Sequence, residues 1–233
     1  MRVYAVGDIH GRADLLAAVE RRIAADLKRY PTAGEASVVF LGDYIDRGPA
    51  SRRVLKRLSV GIIAGLPTRC LLGNHEQAML RFLDDPLNAA EWLDYGGRAT
   101  LASYGIDAGE PGDDDPPGRL IALAAAATDR IPPAHLDFLH GLELCIELGG
   151  FLFAHAGIRP GVPLARQQRR DLLFIREPFL STRRRLSHRV VHGHTVSDEV
   201  EVLPHRVGVD TGAYRTDRLS AVVIEGESVA VLA

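Results

Sequence analysis

Five short apolar runs in this chain each end in a polar cluster, in the order VYAV-GD-I-H, VVFL-GD, CLL-GNH, FLFA-H and HRVV-HGH. Apolar runs of this length, closed by turn residues, read as buried strands. Where an α/β sheet brings its strand ends to one side, the crevice there binds ligands. The side chains delivered are Asp8, His10, Asp43, Asn74, His155 and His194. Each motif alone has an ordinary explanation as a turn, a loop or a helix start with Asn74 as the capping residue. All five in sequence do not. The glycines before the first three clusters (Gly7, Gly42, Gly73) suit sharp strand-to-loop turns.

Between the runs, the spacing of Leu15, Leu16, Val19, Ile23 and Leu27 predicts a helix. The first third then alternates: strand Arg2–Val6, that helix, strand Ser37–Leu41, a basic helix over Ser51–Leu58, and strand Arg69–Leu72. This order argues for parallel α/β pairing. Residues Glu76 to Leu142 read as mostly helical, broken by the acidic GEPGDDDPPG stretch at 109–118, which reads as an exposed loop. Strands resume at Leu144–Leu148, Phe151–Ala154 and His188–Val191, and the last third carries several more joined by short turns. Without repeat or long linker, 233 residues suit a single domain spanning 1–233.

A net charge of -2 gives no reason to expect a nucleic-acid partner. Only two of the 28 basic residues are lysines, Lys28 and Lys56. The arginine excess suits phosphate binding, because a guanidinium grips phosphate bidentately. Cys70 and Cys145 lie in apolar runs and read as buried free thiols. The start MRVYAVGD has no signal-peptide pattern, and no run nears the ~20 apolar residues of a membrane span. A cytoplasmic, membrane-free protein is expected.

Imidazole and carboxylate without thiolate favour Mn²⁺, with Fe or Zn²⁺ as alternatives, over Ca²⁺ or a structural zinc. A carboxylate such as Asp43 can bridge two divalent ions roughly 3.5–4 Å apart, a spacing that acidifies water and neutralises phosphoryl charge. His75, next to Asn74, can lie over such a site without binding metal. Asp46 would keep its imidazole protonated as a general acid, and Arg47 would clamp phosphate oxygens.

At these residues the chain resembles the phosphoprotein phosphatase family of the calcineurin-like metallophosphoesterase superfamily. GDIHG, GDYIDRG and GNHE match its three N-terminal motifs, and HAG and HGHT supply the later histidines. The resemblance runs from residue 3 to about 212. It implies an α/β fold with a central β-sandwich of two mixed sheets flanked by helices. It further implies that Asp8, His10 and Asp43 hold one metal and that Asp43, Asn74, His155 and His194 hold the second, with Asp46 paired to the proton donor His75. Arg47 and a second arginine would bind phosphate. Arg176 is the candidate, with Arg166, Arg169 and Arg170 as competitors; the run Arg183–Arg185 reads as a solvated helix face. In HGHT the Thr after His194 selects that histidine over His192. His135, His140, His188 and His205 fall in no motif and read as surface or satisfied histidines. Leu72 replaces the arginine of eukaryotic members and HAG their HGG, as in a compact bacterial-type member.

The leading expectation is a metal-dependent serine/threonine protein phosphatase acting on phosphoproteins or small phosphoesters. The alternative is a symmetrical diadenosine tetraphosphatase. Those enzymes usually carry GNHD, and this chain has GNHE. A catalytically silent binding module ranks below both, because every expected ligand and the acid are present.

Overall fold

The computed structural model describes residues 1–32, 34–110 and 115–233. Strands β1 (Arg2–Val6), β2 (Ala36–Phe40) and β4 (Leu66–Cys70) run parallel at the centre of a six-stranded sheet. Antiparallel neighbours complete it: β3 (Ile62–Ile63) beside β4 at one edge, then β10 (Ala221–Glu225) and β11 (Ser228–Val231) beyond β1. The second sheet has the order β5-β6-β7-β9-β8, from Cys145–Leu148, Phe151–Ala154, Arg189–His192, Arg206–Gly208 and Glu201–Val202 respectively. Its β6, β7 and β9 are parallel, and both flanks are antiparallel. Both sheets are mixed, as expected.

Side-chain alternation explains the layering. In β1, Val3 and Ala5 face one way into a core shared with Phe153, Val191 and Val207 of the other sheet. Tyr4 and Val6 face the other way, against helices. Strands buried on both faces give continuous apolar runs, which is why these segments lack a polar alternation. Helices α1 (Ala13–Arg29) and α2 (Ser51–Leu58) bury Leu16, Val19, Ile23 and Val54, Leu55, Leu58 on that outer face. Truncating Ile23, which is fully buried, to Ala would cost about 2–5 kcal/mol.

The middle is helical as predicted: α3 (Asn74–Asp84), a π-type turn at Leu93–Gly97, α4 (Arg98–Ser103), α5 (Pro117–Arg130) and α6 (Pro133–His140). The short α7 (Arg169–Phe174) covers the outer face of the second sheet through Leu172. A last turn of helix, α8 (Ala213–Thr216), follows β9.

Several expectations are corrected. Arg183–Arg185 are exposed but lie in no helix. The short hairpin strand β3 was not anticipated, and the strand expected at Arg69–Leu72 ends at Cys70. Both cysteines are free but only partly buried. Residues 111–114 of the acidic stretch lie outside the described residues. Its Asp115 is no loose loop residue, because it binds the buried Arg98 and also Arg119. No helix among the described residues is long and apolar enough to cross a membrane.

Candidate functional site

The C-terminal ends of β1, β2, β4, β6 and β7 meet at one edge of the sandwich, so both sheets contribute. The turns there are tight. Among the described residues, five of the seven non-glycine residues with positive φ are His10, Asp43, Asp46, Arg47 and His194. Such backbone costs of order 1–3 kcal/mol per residue and persists where surrounding structure enforces it, most often at functional sites.

Glu76 enforces much of it. This fully buried residue of α3 accepts the N–H groups of Asp43 at 2.9 Å, Tyr44 at 2.7 Å, Ile45 at 3.3 Å and Gly73 at 3.0 Å. One carboxylate thereby ties the Asp43 loop to the start of the helix carrying Asn74 and His75.

Asp43 is central. Its carboxylate lies 3.7 Å from His10 Nε2, 3.9 Å from His75 Nε2 and 3.5 Å from His155 Nε2. Burial opposes its ionisation, but His155, His75, His10 and His194 outweigh that and hold its pKa below the usual carboxylate range. Two clusters share it, His10–Asp43–His75 and Asp43–His155–His194, each with ligand atoms within 4.8 Å of one another.

On one side, His10 Nδ1 donates to the Ile45 carbonyl at 2.9 Å, which leaves Nε2 as a lone pair. Arg47 donates to that atom at 2.9 Å and to His75 Nε2 at 3.0 Å. The Arg47 guanidinium in turn stacks on Tyr214, 4.6 Å from the ring centre. His75 Nδ1 meets Asp46 at 2.6 Å. Asp46 is fixed by the Trp92 indole at 2.9 Å and the Thr100 hydroxyl at 2.6 Å, both from the helical middle of the chain. Burial works against charge on His75, but Asp43 and Asp46 prevail and raise its pKa above the ordinary value.

The other side lacks such pairing. His155 Nδ1 donates to the Leu41 carbonyl at 2.7 Å, so its Nε2 presents a lone pair. That lone pair faces Asn74 Oδ1 at 2.9 Å, and His194 Nδ1 approaches the same oxygen at 2.9 Å. His194 Nε2 and Asp8 Oδ1 are buried without a partner. Burial pushes the pKa of His194 down to about 3 and that of His10 to about 3, so both rings stay neutral. Burial, then Asp210 and Asp43, push Asp8 well above its usual value. Converging lone pairs, neutral imidazoles and crowded carboxylates fit divalent cations.

His192 faces elsewhere: its Nδ1 meets the Gly193 carbonyl at 3.0 Å and its ring packs on Phe179. Arg176 lines a cavity with Phe174, whose ring lies edge-on to His194, and its charge disfavours protonation of His155 and His194. Arg169 instead binds Gln77 at 3.1 Å. Of the histidines outside the motifs, His135 meets the Tyr104 hydroxyl at 2.8 Å and His188 pairs with Glu147 at 3.1 Å. His140 is exposed, and His205 is partly buried with an unpartnered Nε2.

Sequence reasoning missed Glu76 as a structural anchor, and it missed Trp92, Thr100 and Asp210. Asp210 had a signal: it follows VGV at the end of β9, as Asp8 follows VYAVG. Burial raises its pKa to about 6, against the Gly212 N–H that it accepts at 2.8 Å.

A family model for the calcineurin-like phosphoesterases matches residues 1–217. The chain belongs to that family and is a metallophosphoesterase. The asymmetrical bis(5'-nucleosyl)-tetraphosphatase PrpE of Oceanobacillus iheyensis is 22% identical over 240 residues, 95% of this chain and 88% of that protein. The symmetrical bis(5'-nucleosyl)-tetraphosphatase of Janthinobacterium sp. (strain Marseille) is 28% identical over 160 residues, 69% of this chain and 45% of that one. Among solved structures, one provisionally assigned as a diadenosine tetraphosphatase superposes with a TM-score of 0.68 at 23% identity, covering 99% of this chain and 92% of its own. The cold-active protein-tyrosine phosphatase of a psychrophilic Shewanella gives 0.58 at 17%, covering 100% and 80%. These structural likenesses establish the calcineurin-like fold.

Proposed function

We propose that this chain hydrolyses a dinucleoside polyphosphate at a phosphoanhydride bond, using two divalent cations held by Asp8, His10, Asp43, Asn74, His155 and His194. The observation that carries the reading is the pair of clusters sharing Asp43, on a chain similar to two curated proteins that are both named bis(5'-nucleosyl)-tetraphosphatases. The names favour this alternative over the protein phosphatase expected from the motif resemblance, in which Glu76 of GNHE was the discriminating residue. That residue anchors the Asp43 loop, a role neutral between the substrates.

The bound cations, with Mn²⁺ preferred, would acidify a water and neutralise charge on the phosphoryl oxygens. The side chains supply the rest. Asp43, ionised and set between the clusters, is the shared ligand. Arg47, exposed and held against Tyr214, turns from His10 and His75 to a phosphate oxygen as substrate arrives. With Arg47 turned away, His75 Nε2 takes up a proton from solvent and passes it to the leaving oxygen, while Asp46 at Nδ1 orients the ring and stabilises its charge. Arg176 binds a further phosphate on the His194 side.

The test compares kcat/KM of one Mn²⁺-loaded preparation on diadenosine tetraphosphate, a phosphoserine peptide and a phosphotyrosine peptide. The dinucleotide should be preferred by at least about tenfold, the factor that 1.4 kcal/mol of differential binding supplies. A preferred phosphopeptide would restore the protein-phosphatase reading and overturn this one. Product analysis adds the position of cleavage: two nucleoside diphosphates for a symmetrical cut, a tri- and a monophosphate for an asymmetrical one.

A further inference from the structure

Three large aromatic side chains among the described residues are exposed: Tyr30, Tyr95 and Phe174. A single exposed aromatic needs no explanation. Phe174 differs in its neighbour, because its ring lies edge-on to that of His194 at 6.4 Å between centres. It is the last residue of α7 and is 43% exposed, so part of its face is open to solvent.

The ring also lines a cavity of about 440 Å³ together with Arg159, Gln168, Arg170, Ile175, Arg176 and two carboxylates, Asp171 and Glu177, the latter hydrogen-bonded by the Ser181 hydroxyl. That volume lies in the range of small-molecule sites and exceeds what a phosphate needs. Its cations are set for different tasks. Asp171 holds the Arg159 guanidinium through two hydrogen bonds, at 2.8 Å and 2.7 Å. No hydrogen bond or ion pair occupies the Arg170 or Arg176 side chains among the described residues, and Arg176 acts on both His155 and His194. An aromatic face, free guanidiniums and a side-chain amide thus adjoin one end of the cation site.

We propose that this cavity is the nucleoside subsite, with Phe174 as the stacking platform for the base and Arg170 and Arg176 contacting the adjoining phosphates. The inference deepens the dinucleotide reading and rests on it. A base has a broad π-face to lay on Phe174, and the polyphosphate carries the charge that the free guanidiniums complement. A phosphoserine side chain supplies neither ring nor extended charge.

Competitive binding to Mn²⁺-loaded protein tests it, comparing adenosine 5'-monophosphate with ribose 5-phosphate, which differ only in the base. Wild type should bind the nucleotide about tenfold more tightly, the scale of one stacked base. Phe174→Ala should erase that preference and leave ribose 5-phosphate binding unchanged, and Phe174→Trp should retain it. Equal affinities in wild type, or an undiminished preference in Phe174→Ala, would overturn the subsite. So would a Phe174-dependent affinity for phenyl phosphate without one for the nucleotide. The two proposals fail separately. A wild type that keeps the base preference but ignores diadenosine tetraphosphate refutes the function and leaves the subsite standing. One that cleaves the dinucleotide without base preference refutes only the subsite.

Discussion

On the His10 side of Asp43 every imidazole nitrogen has a protein partner: Ile45, Arg47 and Asp46 take all four. On the His155 side, two ring nitrogens converge on the single Asn74 oxygen, and another is buried with no partner. An unpaired buried polar atom costs about 1–3 kcal/mol, so natural chains keep few of them without a use. On the proposed mechanism the paired half supplies the acid and the anion-gripping arginine, and offers His10 Nε2 to one cation once Arg47 turns away. The unpaired half presents its donors to the other cation with nothing to displace. Asp43 belongs to both, which makes it the joint of the site.

The largest effect that would test this division is at the joint. Asp43→Ala should lower kcat/KM by at least about a thousandfold, because both halves lose their shared charge. A loss under tenfold in steady-state assays would break the account of Asp43. Next comes His75→Asn, with kcat expected to fall by about 10²–10⁴ while Mn²⁺ stoichiometry stays that of wild type. Loss of an ion in that variant would recast His75 as a ligand, which its place in the His10–Asp43–His75 cluster would then explain.

A smaller and more specific effect is expected at Asp46. His75 must be protonated to act as an acid, so kcat should fall as pH rises through its raised pKa. Asp46→Asn removes one of the charges that raise it. The alkaline limb should therefore move to lower pH, with kcat reduced by about 10–100-fold. An unmoved limb in the pH–rate profile would separate Asp46 from proton transfer. The smallest effect concerns the support behind it. Thr100→Val deletes the hydroxyl that donates to the buried Asp46 carboxylate and accepts the Asp46 N–H at 2.9 Å, and should cost at least about 1.5–3 kcal/mol in urea unfolding. No measurable change in the unfolding midpoint would mean that Trp92 and His75 suffice to fix the carboxylate.

The same division explains what could be read from the residues in advance. Asp8, His10, Asp43 and Asn74 were legible because each follows an apolar strand through a short motif, and strand ends are local features. His194 was separable from His192 only through the Thr beside it; in the structure His194 stands in the cluster with Asp43 and His155, and His192 packs on Phe179. Trp92 and Thr100 were not legible. They reach Asp46 from a helical segment some 50 residues on, and nothing in the local pattern of that segment marks it as support for a proton relay. Glu76 was read as the last letter of GNHE, whereas its function lies in four backbone N–H groups that a sequence does not display. At the level of fold, the strands were visible in the residues, and their division into two mixed sheets came from the family resemblance alone. β1 pairs with β10 in the register Arg2↔Glu225, across nearly the whole chain, and such pairings leave no local trace. β3 is only two residues long and too short for any period to register.

The claim that one half receives a cation, and that Asp43 joins it to a second, is tested most directly by counting metal ions. Mn²⁺ titration of the metal-free protein, followed by calorimetry and electron paramagnetic resonance, should give two ions per chain with a spin-coupled signal. Asn74→Ala should bind one, uncoupled. A wild type that binds a single ion, or two without coupling, would contradict a shared Asp43 and with it the two-cation site.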